Sequence, residues 1–414
     1  MDRFVRYGRD MLMTAAVLAM VAAGSIWLHG LGKKPRLEPA PVYARSGPFP
    51  DTLVDNRDGR IYRLVAIGGR TWTAQNLNYK TDDSWCYGND NLNCDKYGRL
   101  YSWEAARRAC PAGWRLPTYR DWGRLIKAAD ESSAAGKMLK AASGWGKSGN
   151  GTDVYRFSAM PGGYRNIDGS FNSIGTDGTY WADTEYDGDE SSAYGRYMDS
   201  GFDYAKDVIN HKNIGLSVRC VPADSNTFRD PRDGKIYEKT NIGNQTWMAE
   251  NLDYGTDGSW CYNNNFFACA MYGRLYSWEA ANAACPPEWH LPSGKEWDNL
   301  ALAVGGEREY NEKEKTVSWD NVNSKLRAES GWDQRFRVHW KDMYGFSALP
   351  IGRRNPNGTF DPIYGDGWGE WWTAAASGGD TAFIRRVSYY RDYLDEYGIN
   401  RSEGLPIRCV QNGK

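Results

Sequence analysis

The sequence predicts an α+β fold built twice, as two tandem disulfide-stapled domains that combine short helices with an irregular antiparallel sheet. Three observations lead there. A long segment recurs at a constant offset, all eight cysteines fall at matched places in the two copies, and each copy passes from two helical patterns into short strands punctuated by Gly, Asn and Asp. A repeat far longer than a solenoid unit means two complete domains rather than a stacked array.

In chain order, Arg3, Arg6 and Arg9 precede residues 11–32, which contain no Asp, Glu, Lys or Arg and include the apolar run MLMTAAVLAMVAAGSIWL. Residues 1–32 therefore read as an export signal or an uncleaved signal anchor, the latter holding the chain at the membrane. Residues 33–50 carry five prolines and form a stiff spacer. The first copy spans 51–222 and the second 229–411, joined by a short linker at 223–228.

The repeat opens as DNRDGRIYRLVAIGGRTWTAQNLNY at Asp55 and as DPRDGKIYEKTNIGNQTWMAENLDY at Asp230. Each opening holds an Asp-Gly turn, a strand, a two-residue loop (Gly68-Gly69 or Gly243-Asn244) and a second strand with Trp72 or Trp247. Those loop residues tolerate positive φ, which marks a hairpin. In YGRLYSWEAARRACP, Ala105, Ala106 and Ala109 fall near one helical face before Pro111 stops the helix. A second helix follows Thr118, with Asp121 three residues on. Ser293 and Glu296 take those places in the second copy and form a capping box. The second copy carries extra residues, mostly between Ala303 and Asp342. Each copy closes on a strand, LSVRCV or LPIRCV.

Cys86, Cys94, Cys110 and Cys220 match Cys261, Cys269, Cys285 and Cys409. Four cysteines per exported domain read as two disulfides, with three connectivities open. The preferred pairing is Cys86–Cys94 with Cys110–Cys220, and Cys261–Cys269 with Cys285–Cys409. A metal site fits poorly, because no C-x-x-C pair occurs and no His accompanies the cysteines.

The motifs DxRDGxxY, IGxQTWMAENL, YGRLYSWEAA, CPxxWxLPSxxEW and the terminal VRCV resemble the Fibrobacter succinogenes major paralogous domain. The resemblance covers both copies, and the first departs from it with TAQNL where the pattern has MAENL. That family is similar to the C-type-lectin-like fold and to formylglycine-generating sulfatase-modifying factors. The resemblance implies two tandem C-type-lectin-like/sulfatase-modifying-factor-like domains and implies no particular activity.

A net charge of −1 argues against a nucleic-acid partner. No catalytic set recurs. His29, His211, His290 and His339 lack His counterparts, which excludes a His triad or zinc site common to both copies. Every cysteine has an expected disulfide partner, leaving no thiol nucleophile or copper ligand. Glu104 and Glu279 read as first-turn helix acids favoured by the dipole, glycosidase-like acids being the alternative. Residues 183–190, DTEYDGDE, read as a solvated acidic loop, with calcium binding as the alternative. No cofactor and no metal are expected.

Most tryptophans match between the copies and read as a packed frame. Trp319, Trp340, Trp368 and one of Trp371 and Trp372 belong to the second copy alone, and GDGWGEWWT reads as a Gly-rich loop. The expected ligand-binding residues are Trp340, Asp366, Trp368, Glu370, Trp371 and Trp372, with rings stacking on sugar and acids bonding hydroxyls. The chain is thus expected to be an exported, non-catalytic binding or adhesion protein of the cell envelope. Its expected partner is a glycan or a surface protein. A structural envelope protein is the alternative, and an enzyme active in one domain comes third.

Overall fold

The computed structural model describes residues 51–413 apart from 131–132, 147, 313–315, 329–331, 333–341, 362–366 and 389–390. The expected export segment and spacer lie outside the described residues.

Each copy starts with three antiparallel strands in sequence order. They are Thr52–Val54, Ile61–Ile67 and Arg70–Thr73 in the first copy and Thr227–Arg229, Ile236–Ile242 and Gln245–Met248 in the second. Gly68 and Gly69 both take positive φ, as the expected two-residue loop requires. Alternation along Ile61–Ile67 turns Tyr62, Leu64 and Ile67 inward.

The two expected helices are present in each copy, Trp103–Ala109 with Tyr119–Ala129 and Trp278–Ala284 with Gly294–Ala303. Thr118 and Asp121 make a reciprocal capping box, as Ser293 and Glu296 do. A further short helix lies ahead of them, Asn91–Tyr97 or Phe266–Tyr272. Seven residues give too little periodicity to reveal it. Asp90 or Asn265 caps its start, and Gly98 or Gly273 ends it. Gly98 has φ 78°, and a Cβ there would collide with Asn76, so glycine is required twice over.

Beyond the helices the chain forms longer strands than expected. In the first copy Asp177–Glu185, Ser192–Asp199 and Lys206–His211 make a three-stranded meander. Its counterpart, Trp368–Gly378, Thr381–Ser388 and Leu394–Asn400, is widened to five strands by the hairpin Glu307–Asn311 and Thr316–Asp320. The extra residues of the second copy thus extend its sheet, and Trp319 is buried there with its indole N–H on Asp298 at 2.9 Å.

The cores are built alike. Trp72 lies 5.0 Å from Trp122 and 5.8 Å from Phe157 between ring centroids, and Trp247 lies 4.9 Å from Trp297 and 5.8 Å from Phe346. Beside each trio sits a buried arginine from the closing strand. Arg219 donates to Asn76 Oδ1 and to the carbonyls of Thr73, Phe157 and Ser158. Arg408 donates to Asn251 Oδ1 and to the carbonyls of Phe346 and Ser347. Burial pulls both guanidinium pKa values down, that of Arg408 to about 9. The disulfides are Cys86–Cys94, Cys110–Cys220, Cys261–Cys269 and Cys285–Cys409. The two long ones tie the end of a helix to the closing strand.

Candidate functional site

The structure takes apart the aromatic site expected in the second copy. From Trp368 on, GDGWGEWWT belongs to the strand Trp368–Gly378 and not to a loop, and Gly369–Thr373 are buried on both faces of the sheet. Trp371 and Trp372 are wholly buried, with their indole N–H groups on Asn251 Oδ1 at 2.8 Å and on the Tyr276 carbonyl at 2.7 Å. Trp372 is the counterpart of Trp181, whose indole bonds the Tyr101 carbonyl at 2.7 Å. Glu370 is buried against Arg353 at 2.8 Å, and burial pushes its carboxyl pKa up although Arg353 and Arg386 pull it down. Trp368 is half-buried beneath the Arg386 guanidinium, 4.0 Å from its ring centre. Trp340 and Asp366 lie outside the described residues. No sugar-stacking platform can be made from two rings sealed in the core.

The other candidates stand apart from one another. Glu104 and Glu279 are exposed acids in first helical turns. His290 bonds Glu296 at 2.7 Å, on a capping acid. Among the described residues no group of three or more His, Cys, Asp or Glu is placed to hold a metal ion.

The acidic residues 183–190 are corrected in a more informative way. Part of the stretch faces the second copy rather than solvent. Asp183 bonds Arg107 and Arg229, each at 2.9 Å. Asp187 pairs with Lys235 at 3.1 Å and with Arg274. The acids meet guanidinium and ammonium groups, which leaves them paired as they stand.

The helix Tyr119–Ala129 completes this docking. Arg120 and Arg124, one turn apart, point the same way. Arg120 pairs with Glu250 at 2.8 Å and donates to the carbonyls of Ala270 and Asn251, while Arg124 pairs with Glu238 at 2.5 Å and Glu250 at 3.3 Å. Arg70 bridges Asp121 of its own copy to Glu238 of the other. Burial works to raise the Asp121 pKa, but Arg115 and Arg70 outweigh it and hold the carboxyl well below the usual range. Apolar contacts run alongside. Tyr186 meets Phe266 at 5.5 Å, Tyr194 meets Phe267 at 5.2 Å, and Ala270 joins the core of the first copy. Gly123 lies directly under the end of the Met271 side chain, which would have to shift to admit a Cβ there.

The first copy has the same receiving surface, and among the described residues nothing covers it. Two adjoining cavities of about 490 and 540 Å³ lie there. The 490 Å³ cavity is lined by Ile61, Arg63, Gln75, Lys96 and Tyr97 among others, the 540 Å³ one by Arg60, Asn78, Lys80 and Arg99. Position for position these are the residues that hold the docked helix and Asp187 in the second copy. Their chemistry is inverted. Arg63 stands where Glu238 does, Gln75 for Glu250, Asn78 for Asp253, and Asp95-Lys96 for Ala270-Met271. Asn91-Leu92 replaces Phe266-Phe267, leaving Leu92 76% and Ile61 63% exposed. Among the described residues, Arg63 has no carboxylate within ion-pair reach. The sequence signal for this surface is TAQNL against MAENL, together with NLNCDKY against FFACAMY. Comparing only what the copies share passes over it.

A family model described as the Fibrobacter succinogenes major domain matches residues 65–222 and again 240–411. No curated protein and no solved structure matches the chain.

Proposed function

We propose a binding function at the cell envelope for this chain, which belongs to the Fibrobacter succinogenes major domain family by two matches that together span most of its length. Its four disulfides suit an oxidising, extracytoplasmic environment. In this reading the chain is exported, held by residues 1–32 or released, and non-catalytic. Its lectin-like scaffolds present surfaces, not an active centre. The second copy supports the first, and the first makes the contact with a glycan or a surface protein.

One observation carries the reading. A face that in the second copy already serves docking recurs in the first as an open, cavity-bearing surface. Arg60, Arg63, Lys80, Lys96 and Arg99 outnumber Asp58 and Asp95, both paired with Arg60, and give it a cationic cast, so its ligand is acidic. Exposed Ile61 and Leu92 add apolar contact.

The test is binding of the full oxidised chain to arrays of acidic and neutral glycans and of purified surface proteins. Wild type is compared with Arg60→Glu/Arg63→Glu and with Trp368→Ala. Acidic ligands bind wild type and Trp368→Ala, and the arginine variant loses them while its near-UV circular dichroism is unchanged. Binding that survives the arginine changes and disappears in Trp368→Ala would return the site to the second copy. Binding to nothing on either array would favour a purely structural envelope role.

A further inference from the structure

We propose that the open face of the first copy is a socket for another domain of this same fold, one that carries carboxylates where the first copy has Arg120 and Arg124. This rests on the binding reading above and names its partner. The molecule displays the occupant once already. In the second copy the matching surface receives a helix, through Arg120 and Arg124, and an acidic tip, through Asp187. The two cavities of the first copy reproduce the two halves of that footprint, the one at Arg63, Gln75 and Lys96 under the helix and the one at Arg60, Asn78 and Arg99 under the tip.

Charge decides which helix fits. Arg124 meets Glu238 and Glu250 in the occupied face, but the same contact in the open face would bring it to Arg63 and Gln75. A carboxylate at that place pairs with Arg63 instead. One at the Arg120 place meets Gln75, which can donate to it, with Lys96 beside it. For the tip the sign is unchanged. Lys235 and Arg274 hold Asp187, and Arg60 and Arg99 take their positions with Asn78 replacing Asp253. An acidic tip therefore keeps two cations and meets Asn78 in place of an acid, and it competes for Arg60 with Asp58 and Asp95, which lie 3.4 and 3.6 Å from that guanidinium.

A second copy of this chain does not meet the requirement. Its outward helix, Gly294–Ala303, has Lys295 and Asn299 at the two positions, and its tip is shortened to Gly379-Asp380. Self-docking would set Lys295 and Asn299 against Gln75 and Arg63 and make no ion pair. The face is also polar enough to stay solvated when empty, since Asn91, Asp95 and Lys96 replace three apolar residues. That composition suits a separable partner, whose interface is less apolar than a permanent one.

The probe is the chain itself with Lys295→Glu/Asn299→Glu, which gives its outward helix the required pair of acids on an exposed and a half-buried position. Sedimentation of the full chain, oxidised and in mild detergent, reads the result. Wild type remains one species. The acidic variant associates head to tail, and adding Arg63→Glu to it weakens that association by about tenfold or more, as loss of a charged contact at an interface does. An acidic variant that sediments like wild type, or association that Arg63→Glu leaves untouched, overturns the proposal. If the acidic variant fails to associate while acidic ligands still depend on Arg60 and Arg63, the face remains a binding site and a related domain is removed as its occupant.

Discussion

The helices Asn91–Tyr97 and Phe266–Tyr272 occupy equivalent places and have the same length. Each starts on a side-chain cap, closes a short disulfide, and ends at a glycine of positive φ. Their sequences, NLNCDKY and FFACAMY, share only the cysteine and the tyrosine. What they share builds the helix, and what differs describes the neighbour. Phe266, Phe267, Ala270 and Met271 lie against the first copy, whereas Asn91, Leu92, Asp95 and Lys96 face water. A duplicated domain thus separates two kinds of constraint. The matched residues specify the fold, and the mismatched residues specify which surfaces are covered.

That contrast can be broken at its strongest point, the staples both copies share. Replacing Cys110 and Cys220 by Ala, or Cys285 and Cys409 by Ala, should cost about 4–5 kcal/mol in either copy, since the closed loops are of similar length. Thermal unfolding that shows a much smaller loss in one copy would end their equivalence as scaffolds. The next test separates the copies. Glu250→Ala leaves Arg120 buried without its carboxylate and should cost about 3 kcal/mol. Gln75→Ala, the same position on the open face, should stay within about 0.5 kcal/mol. Denaturant unfolding of both variants gives the comparison directly, and equal losses would deny that only one face is covered.

Acid supplies a third test. Asp121 has a folded-state pKa below its unfolded value of about 3.9. Its ionised form therefore adds stability above the unfolded value, and that share is lost as pH falls through the folded value. Because Arg70 links Asp121 to Glu238, wild type should lose stability over this range more steeply than Asp121→Asn. Parallel pH curves would count against the linkage. The smallest effect is expected from Arg63→Ala, which removes a guanidinium without a carboxylate partner among the described residues and should shift stability by no more than about 0.5 kcal/mol.

Much of the scaffold was legible because its signals are local. Asp-Gly turns, two-residue loops, capping residues and matched cysteines each act over a few residues. The strand Trp368–Gly378 was not legible. A strand buried on both faces loses the alternation that marks a half-buried one, and its flanking glycines imitate a loop. Adjacent tryptophans that fill opposite sides of a sheet therefore looked like an exposed cluster. The acidic residues 183–190 posed the converse difficulty. Their charge suggested solvent, yet Asp183 and Asp187 meet Arg229, Lys235 and Arg274, which lie far along the chain. The docking face is encoded in substitutions such as Arg63 for Glu238. These become readable only once the structure shows which partner each residue faces.

The long disulfides also bear on how such a chain would carry a mechanical load. In the first copy the strand Arg70–Thr73 lies beside the closing strand, with the Thr73 amide on the Cys220 carbonyl at 3.0 Å. Cys110–Cys220 and Cys285–Cys409 have sequence separations of 110 and 124 residues. Under a pull between a cell surface and a captured partner, the chain inside those rings could not be drawn out while the sulfur bonds hold. The part of each domain within its ring would then behave as a short inextensible link, and extension would be confined to the segments outside the rings, including the strands and helices that precede Cys110 and Cys285.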